Sequence, residues 1–481
     1  MTVIVVVCLL LFCSACPGGE DSLRETEIYV SEQAGDDQTG TGTQSSPWKT
    51  IAKGTSELGK KGKGKLIIRG GFYHVSKMIE LRRSGSAKQP LIISSASGEQ
   101  VIISNEMNGV GGNKSNTILN IKRDDSYRGL EYITIQGIHF VGMLSIGGSS
   151  QTCKSIHLED CVFMAHGTQL GPHNPTLLNF RNTEDCSVKR CKLLCDDPKR
   201  NDFSGIKIWK GTKRLVVEGN EISGLARKGI DNKHGMPDQA LVIRNNYIHN
   251  LNERAINVNA DRTVIQNNVI YKCPVGINVW KESGAPGGSF SIIDHNTIVD
   301  CVVGIVLGPE STAKLRNCTV TNNLLVNYGR GPFNAINITP YRKQPYKHGH
   351  YSNHNCFYHM GEKRYVRDRD DTLHNLREWQ AVSGLDQASI ETDPGLECRE
   401  GSASLRACRV SEEFRKNEQS RGSDGCTMGA NIVSMPDGTC YLTACSGGDS
   451  VRLDRTYDSG SLGMEKDQSP SPPRNVRIGV Q

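Results

Sequence analysis

Between residues 134 and 325 apolar and polar positions alternate in short runs, and one run returns eight times. TIQGIHF, HLEDCVF, SVKRCKL, VVEGNEI, VIRNNYI, VIQNNVI, IIDHNTI and TVTNNLL share a layout. Their fifth positions are Ile138, Cys161, Cys191, Asn220, Asn246, Asn268, Asn296 and Asn323, spaced by 23, 30, 29, 26, 22, 28 and 27 residues. Asn355, in NHNCF, continues the phase after a longer insertion. A second run sets a small residue before Ile, at Gly205-Ile206, Gly229-Ile230, Ala255-Ile256, Gly276-Ile277, Gly304-Ile305 and Ala335-Ile336. Alternation with a period of two predicts at least two short strands per repeat. A single coil cannot bury its apolar side, whereas stacked coils bury Ile on Ile and pair each backbone with the coils above and below. The repeat thus predicts a β solenoid with a file of buried Asn at a sharp turn. Asn suits that place because it bonds the backbone and its neighbours in the file and tolerates left-handed dihedrals.

The 481 residues need not be divided into several domains, because a solenoid runs long as one unit. The expected organisation is a signal peptide over 1–16, a solenoid over 27–432 and a Cys/Ser/Pro-rich flexible tail over 433–481. Residues 3–12 are an apolar run too short to span a bilayer, as in a signal-peptide core. Small residues before Cys16 match a lipoprotein cleavage site, so Cys16 carries a lipid or the leader is cut nearby. Either outcome places the chain outside the cell, secreted or on the surface, with the membrane touched only through that lipid. Removal of Cys8 and Cys13 and lipidation of Cys16 leave 14 of the 17 cysteines, a number compatible with disulfides. Cys161 and Cys191 share a column as stacked thiols or a bridge. Cys273 and Cys301 are expected to pair or touch, and Cys440 and Cys445 to close a small loop. Residues 340–372 are polar and basic and read as a long loop leaving the stack. The net charge of +6 suits acidic polymers. No basic stripe with interleaved aromatics points to nucleic acid, and the expected state is a monomer.

The pattern resembles the right-handed parallel β-helix superfamily of pectate lyases and related polysaccharide-active proteins. Tyr29-Val30-Ser31, Gly35-Asp36-Asp37, Gly40-Thr41, Pro47 to Ile51 and Ile67 to Tyr73 look like the family's N-terminal cap and first coil. Ser84 to Ser86 and Pro90 to Ile93 continue it. Leu376 to Trp379, Gly384, Asp386, Ser389 and Asp393 to Gly395 look like the closing segment, and Gly429-Ala430 like its last turn. The resemblance implies an all-β fold, a single-stranded right-handed parallel β-helix with an N-terminal cap. It also implies action on a polysaccharide. The reading is a lyase that cleaves an acidic, uronate-containing chain by β-elimination; the alternatives are a non-catalytic carbohydrate-binding surface protein and a glycoside hydrolase.

If the small-residue–Ile strands point Ile inward, Lys207, Trp209, Asp231, Lys233, Asn257, Asn259, Asn278 and Trp280 point outward. Trp209 and Trp280 lie three coils apart, roughly 14 Å, and form stacking platforms for a sugar chain. β-Elimination needs a base, and a cation that neutralises the uronate carboxylate. Lys233 is the expected base, its pKa depressed by Lys207 and Arg262, with His234 as the second candidate and Lys207 as the third catalytic residue. Asn259, Arg262 and Lys281 join the two Trp in substrate binding. Asp231, Asn257 and Asp261 offer oxygen ligands to calcium. The bland alternative pairs Asp231 with Lys207 or Lys233. Relatives with a compact calcium site carry more Asp on adjacent coils. Relatives active on alginate and dermatan-type chains carry an Arg-His pair where Asn257-Val258-Asn259 stands, and Glu where Ala226-Arg227-Lys228 stands. Polygalacturonase-like hydrolases need paired outward Asp, which the stripe lacks.

Overall fold

The computed structural model describes residues 26–104, 117–165, 175–195, 204–225, 227–233, 235–281, 287–309, 315–329, 331–338, 349–368, 372–398, 408–417, 419, 428–429, 431–434 and 440–443. The 1–16 leader with Cys16, His234, Cys445 and most of the tail lie outside these residues.

Each coil carries three strands, one more than the two runs legible in the repeat. In one coil they are Val216–Glu218, Glu221–Ser223 and Lys228–Asn232. Stacking in parallel builds three long sheets of thirteen, twelve and twelve strands, here the first, second and third sheet. Ile206, Ile230, Ile256, Ile277 and Ile305 pair in register on the third sheet, and all are fully buried. The small residue before each Ile answers to close approach: a Cβ at Gly229 would stand 2.6 Å from the Ala255 carbonyl.

The Asn file turns the corner between the first and second sheets. Asn246 Nδ2 donates to Val217 O and to Asn268 Oδ1, each at 2.9 Å, and Asn246 N donates to the same Oδ1. The pattern repeats through Asn296 and Asn323 to Asn355. The left-handed backbone falls one residue earlier than expected, on Asn245, Asn267, His295, Asn322 and His354. That residue makes the turn, and the ladder Asn then points inward to satisfy it.

Two ends close the stack. Helix α1 (Ile51–Lys61), absent from the sequence reading, lays Ile51 and Leu58 on the first coil, and its Gly54 faces Val30 and Leu66. At the other end helix α2 (Leu376–Ser383) presents Trp379, whose Nε1 donates to Asp386 Oδ2 at 3.0 Å. Asp386 Oδ1 accepts from Asn355 Nδ2, Ser352 Oγ and Ser389 Oγ, and Ser389 Oγ accepts from Asn355 N. The closing motif therefore satisfies the last ladder Asn. Residues 349–368 are a further coil with strands Tyr351–Asn353, Cys356–His359 and Val366–Arg367, which corrects the expected long loop over this part; 339–348 lie outside the described residues. Phe414 and Met428 cover an apolar outer patch of the second sheet made by Val269, Val299, Leu324 and Val326. A hairpin of Asn431–Ser434 and Cys440–Thr443 spans the boundary expected at 432.

Among the cysteines whose side chains are described, the disulfide expectation meets a correction. Cys153, Cys161, Cys186, Cys191, Cys273, Cys301, Cys318 and Cys356 are buried free thiols. Cys161 touches Cys191, and Cys273 touches Cys301, as stacked neighbours. In-register parallel stacking holds side chains about 4.8 Å apart, whereas a disulfide needs Cβ atoms about 3.8 Å apart. No described helix is long and apolar enough to cross a membrane.

Candidate functional site

Strand register sets the outward side chains of the third sheet into files. One file runs Glu80, Asn120, Ser145, Asn179, Lys207, Asp231, Asn257, Asn278, Val306, Asn337 and Arg367. Trp209, Lys233, Asn259 and Trp280 each follow a member of this file by two residues; the first three lie just past the strand ends, where Asn259 N donates to Asn232 Oδ1 at 2.9 Å. Most of the predicted site residues thus share one face because coils stack without slipping.

The centre of the file is a buried polar chain. Asn278 Nδ2 donates to Asn257 Oδ1 at 2.7 Å, and Asn257 Nδ2 donates to Asp231 Oδ1 at 2.8 Å. Lys228 Nζ donates to the same Asp231 oxygen at 3.2 Å. Asp231 is 2% exposed and Lys207 5% exposed. Lys207 Nζ stands 4.9 Å from the centre of the Trp209 ring, and Trp209 Nε1 donates to Asn179 Oδ1 at 2.6 Å. Burial pushes the Lys207 ammonium down to about 8. The Asp231 carboxylate opposes that fall, and the charges of Lys233, Lys228 and Arg227 add to it.

The sequence reading gave Lys228 no role. Strict alternation back from Ile230 does not place it beside Asp231. Gly229 and Ile230 both face the core, since a Cβ at Gly229 would meet Ile248 and Leu251, so Lys228 and Asp231 leave it on one side. The signal was present as the small residue itself, which marks a close approach in a strand. The pair Lys228–Asp231 replaces the expected Asp231 pairing with Lys207 or Lys233.

Arg262 and Asp261 stand apart from this centre. They form the turn after the Arg254–Val258 strand. Arg262 Nη1 donates to Pro237 O at 3.3 Å, and its guanidinium lies over Phe290. Asp261 Oδ1 accepts from Ser289 N at 2.7 Å; burial raises its pKa, while that hydrogen bond, Lys281 and Arg262 lower it. Lys281 and Arg262 therefore act on Asp261. Asn259 is fully buried, and neither its Oδ1 nor its Nδ2 has a partner. The chain at Gly235 and Gly287 presses on Asn259: a Cβ there would lie 1.2 Å and 2.1 Å from its carbonyl oxygen. Trp209 and Trp280 are both half-buried, and the Trp280 Nε1 is buried without a partner.

The proposed calcium set does not fit. A lysine ammonium already sits on Asp231 Oδ1, Asn257 turns its oxygen to Asn278, and Asp261 turns an oxygen to a backbone amide. Among the described residues no group of three His, Cys, Asp or Glu side chains forms a metal site. Hard cations need several converging oxygens, and here one carboxylate meets one cationic side chain.

Residues 117–286 match the family described as right handed beta helix region. No curated protein sequence matches the chain. Solved structures with a similar winding include a glycoside hydrolase (11% identity, 71% of this chain and 94% of that one, TM-score 0.45). A mannuronic acid specific polysaccharide family 6 lyase from human gut microbiota is 11% identical over 77% of this chain and 92% of its own, with a TM-score of 0.41. The pectate lyase Pel9A is 12% identical over 66% and 78%, with a TM-score of 0.39. Parallel coils and a continuous inward Ile file give this chain the fold of a right-handed parallel β-helix, and its residues 117–286 carry the sequence pattern of the right handed beta helix region.

Proposed function

We propose that this chain is an exported protein that binds an acidic polysaccharide along the outward file of the third sheet and cleaves it by β-elimination. One observation carries the reading: Lys207, with a pKa lowered to about 8, sits in line with Asp231 and beside the Trp209 ring. A lysine poised there holds a useful neutral fraction near neutral pH, which a general base requires. Its Nζ would take the proton from the carbon next to the uronate carboxylate. The electron pair then forms the carbon–carbon double bond, and the glycosidic oxygen leaves and takes up a proton. Lys233, just past the strand end, has no carboxylate partner among the described residues and would neutralise the substrate carboxylate. Lys207 thereby takes the role of base expected of Lys233. Trp209 and Trp280 supply apolar faces for sugar rings. The apolar run at 3–12 supports export, in a free or Cys16-lipidated form.

A second reading, glycan binding without turnover, draws support from the depth of Lys207 and Asp231, which fits a structural charge chain. Pectate, alginate and glycosaminoglycans, each offered with calcium and with chelator, separate the two. The lyase reading expects ultraviolet absorbance from an unsaturated product, unaffected by chelator. It also expects a loss of about a hundredfold or more in Lys207→Met. Binding with no such absorbance on any substrate would leave the second reading.

A further inference from the structure

We infer that a pocket at the N-terminal end of the third sheet binds a sugar unit carrying both a carboxylate and free hydroxyls, the uronate unit of an acidic saccharide. The pocket holds about 380 Å³ and is lined by Glu80, Arg82, Asn120, Lys122, Arg123 and Gln151 among others. Its Asn120 lies three coils from Lys207 along the same outward file, through Ser145 and Asn179. Two features select the ligand. The first is unbalanced positive charge. Arg82 is paired with Glu80 and Asp125, but Lys122 and Arg123 are exposed and meet no carboxylate among the described residues. Arg123 instead rests over the Tyr127 ring at 4.3 Å, which leaves its N–H groups available to an anion. The second is Asn120. It is 5% exposed and lines the pocket, and its Oδ1 is buried without a donor. A buried acceptor left unpaired costs free energy that a ligand hydroxyl would recover. A simple oxyanion answers the cations but offers Asn120 nothing. A neutral sugar answers Asn120 but not the cations. A uronate answers both.

This deepens the acidic-saccharide reading and is tested apart from turnover. Calorimetric titration of the full chain with glucuronate, glucose and inorganic sulfate is the measurement. Saturable glucuronate binding is expected, with glucose and sulfate weaker by about tenfold or more. Lys122→Gln with Arg123→Gln, both surface changes, should weaken glucuronate by a similar factor and leave circular dichroism unchanged. Lys207→Met should bind glucuronate as the parent does, even where it has lost cleavage. Absent glucuronate binding, equal affinity for sulfate, or an unaffected Lys122/Arg123 double variant would each overturn the inference. Absence of cleavage with these affinities intact would overturn only the lyase reading.

Discussion

A lysine that sheds its proton on folding makes stability depend on pH, and Lys207 is placed to do so. Its folded pKa of about 8 lies below the ordinary 10.5. Below about pH 8 both states hold the proton, and the cost of burying the charge is present in full. Between about 8 and 10.5 the unfolded chain keeps a proton that the folded chain has released, so stability rises with pH. Urea midpoints of the parent should rise across that window, and those of Lys207→Met should lack the increment. If Lys207 is the base, kcat/KM climbs through the same pKa to a plateau above it. The buried thiols behave oppositely: burial pushes Cys153 up to about 11 and Cys186 and Cys318 up to about 12. We expect iodoacetamide to label Cys161, Cys186, Cys191 and Cys318 only after denaturation, by peptide mass analysis; labelling of the native chain would refute their placement in the core. Among site residues, the outward set from Lys207 to Trp280 was legible because alternation decides which side of a strand faces out. The place of Lys228 was not, because Gly229 and Ile230 both face the core and so break the alternation.

Elements here are held by register more than by length. A three-residue strand such as Val242–Arg244 is stable only because Val216–Glu218 and Val264–Gln266 pair it on both sides. Helix α1 plays another part, since it covers the first coil where no further strand could pair. Its Gly54 has no room: an added Cβ would stand 2.4 Å from Val30 Cγ2 and 2.7 Å from a Leu66 methyl. Gly54→Val should lift the helix from the first coil and lower the urea midpoint by an amount equivalent to about 1–3 kcal/mol. An unchanged midpoint would mean that the helix is not packed there. The amphipathic run 51–61 was hidden in the sequence reading by the cap motif around it, which resembled a known segment and was read as such. The third strand of each coil was also hidden, because the runs on either side of the Asn corner read as one alternating stretch.

On the scale of the whole molecule the solenoid is nearly one-dimensional, and each coil depends on its two neighbours. Asn268→Ala removes the acceptor of Asn246 N and Nδ2 and leaves the Ile243 carbonyl without its side-chain donor. The loss should be about 2 kcal/mol or more. Hydrogen exchange should quicken around 242–248 and 292–298 and stay slow at 64–68. Uniform loss of protection would contradict coil-by-coil coupling. The repeat by itself determined the solenoid, the inward Ile, the Asn file and the face on which charged and aromatic residues gather, because period and alternation are local properties of the chain. Tertiary structure alone decided which cation meets Asp231, that burial draws the Lys207 pKa down, that Cys161 and Cys191 or Cys273 and Cys301 touch as thiols and that a basic pocket opens at Asn120. Those outcomes turn on ångström-scale distances between coils and on burial, and neither is written in the spacing of residues along the chain.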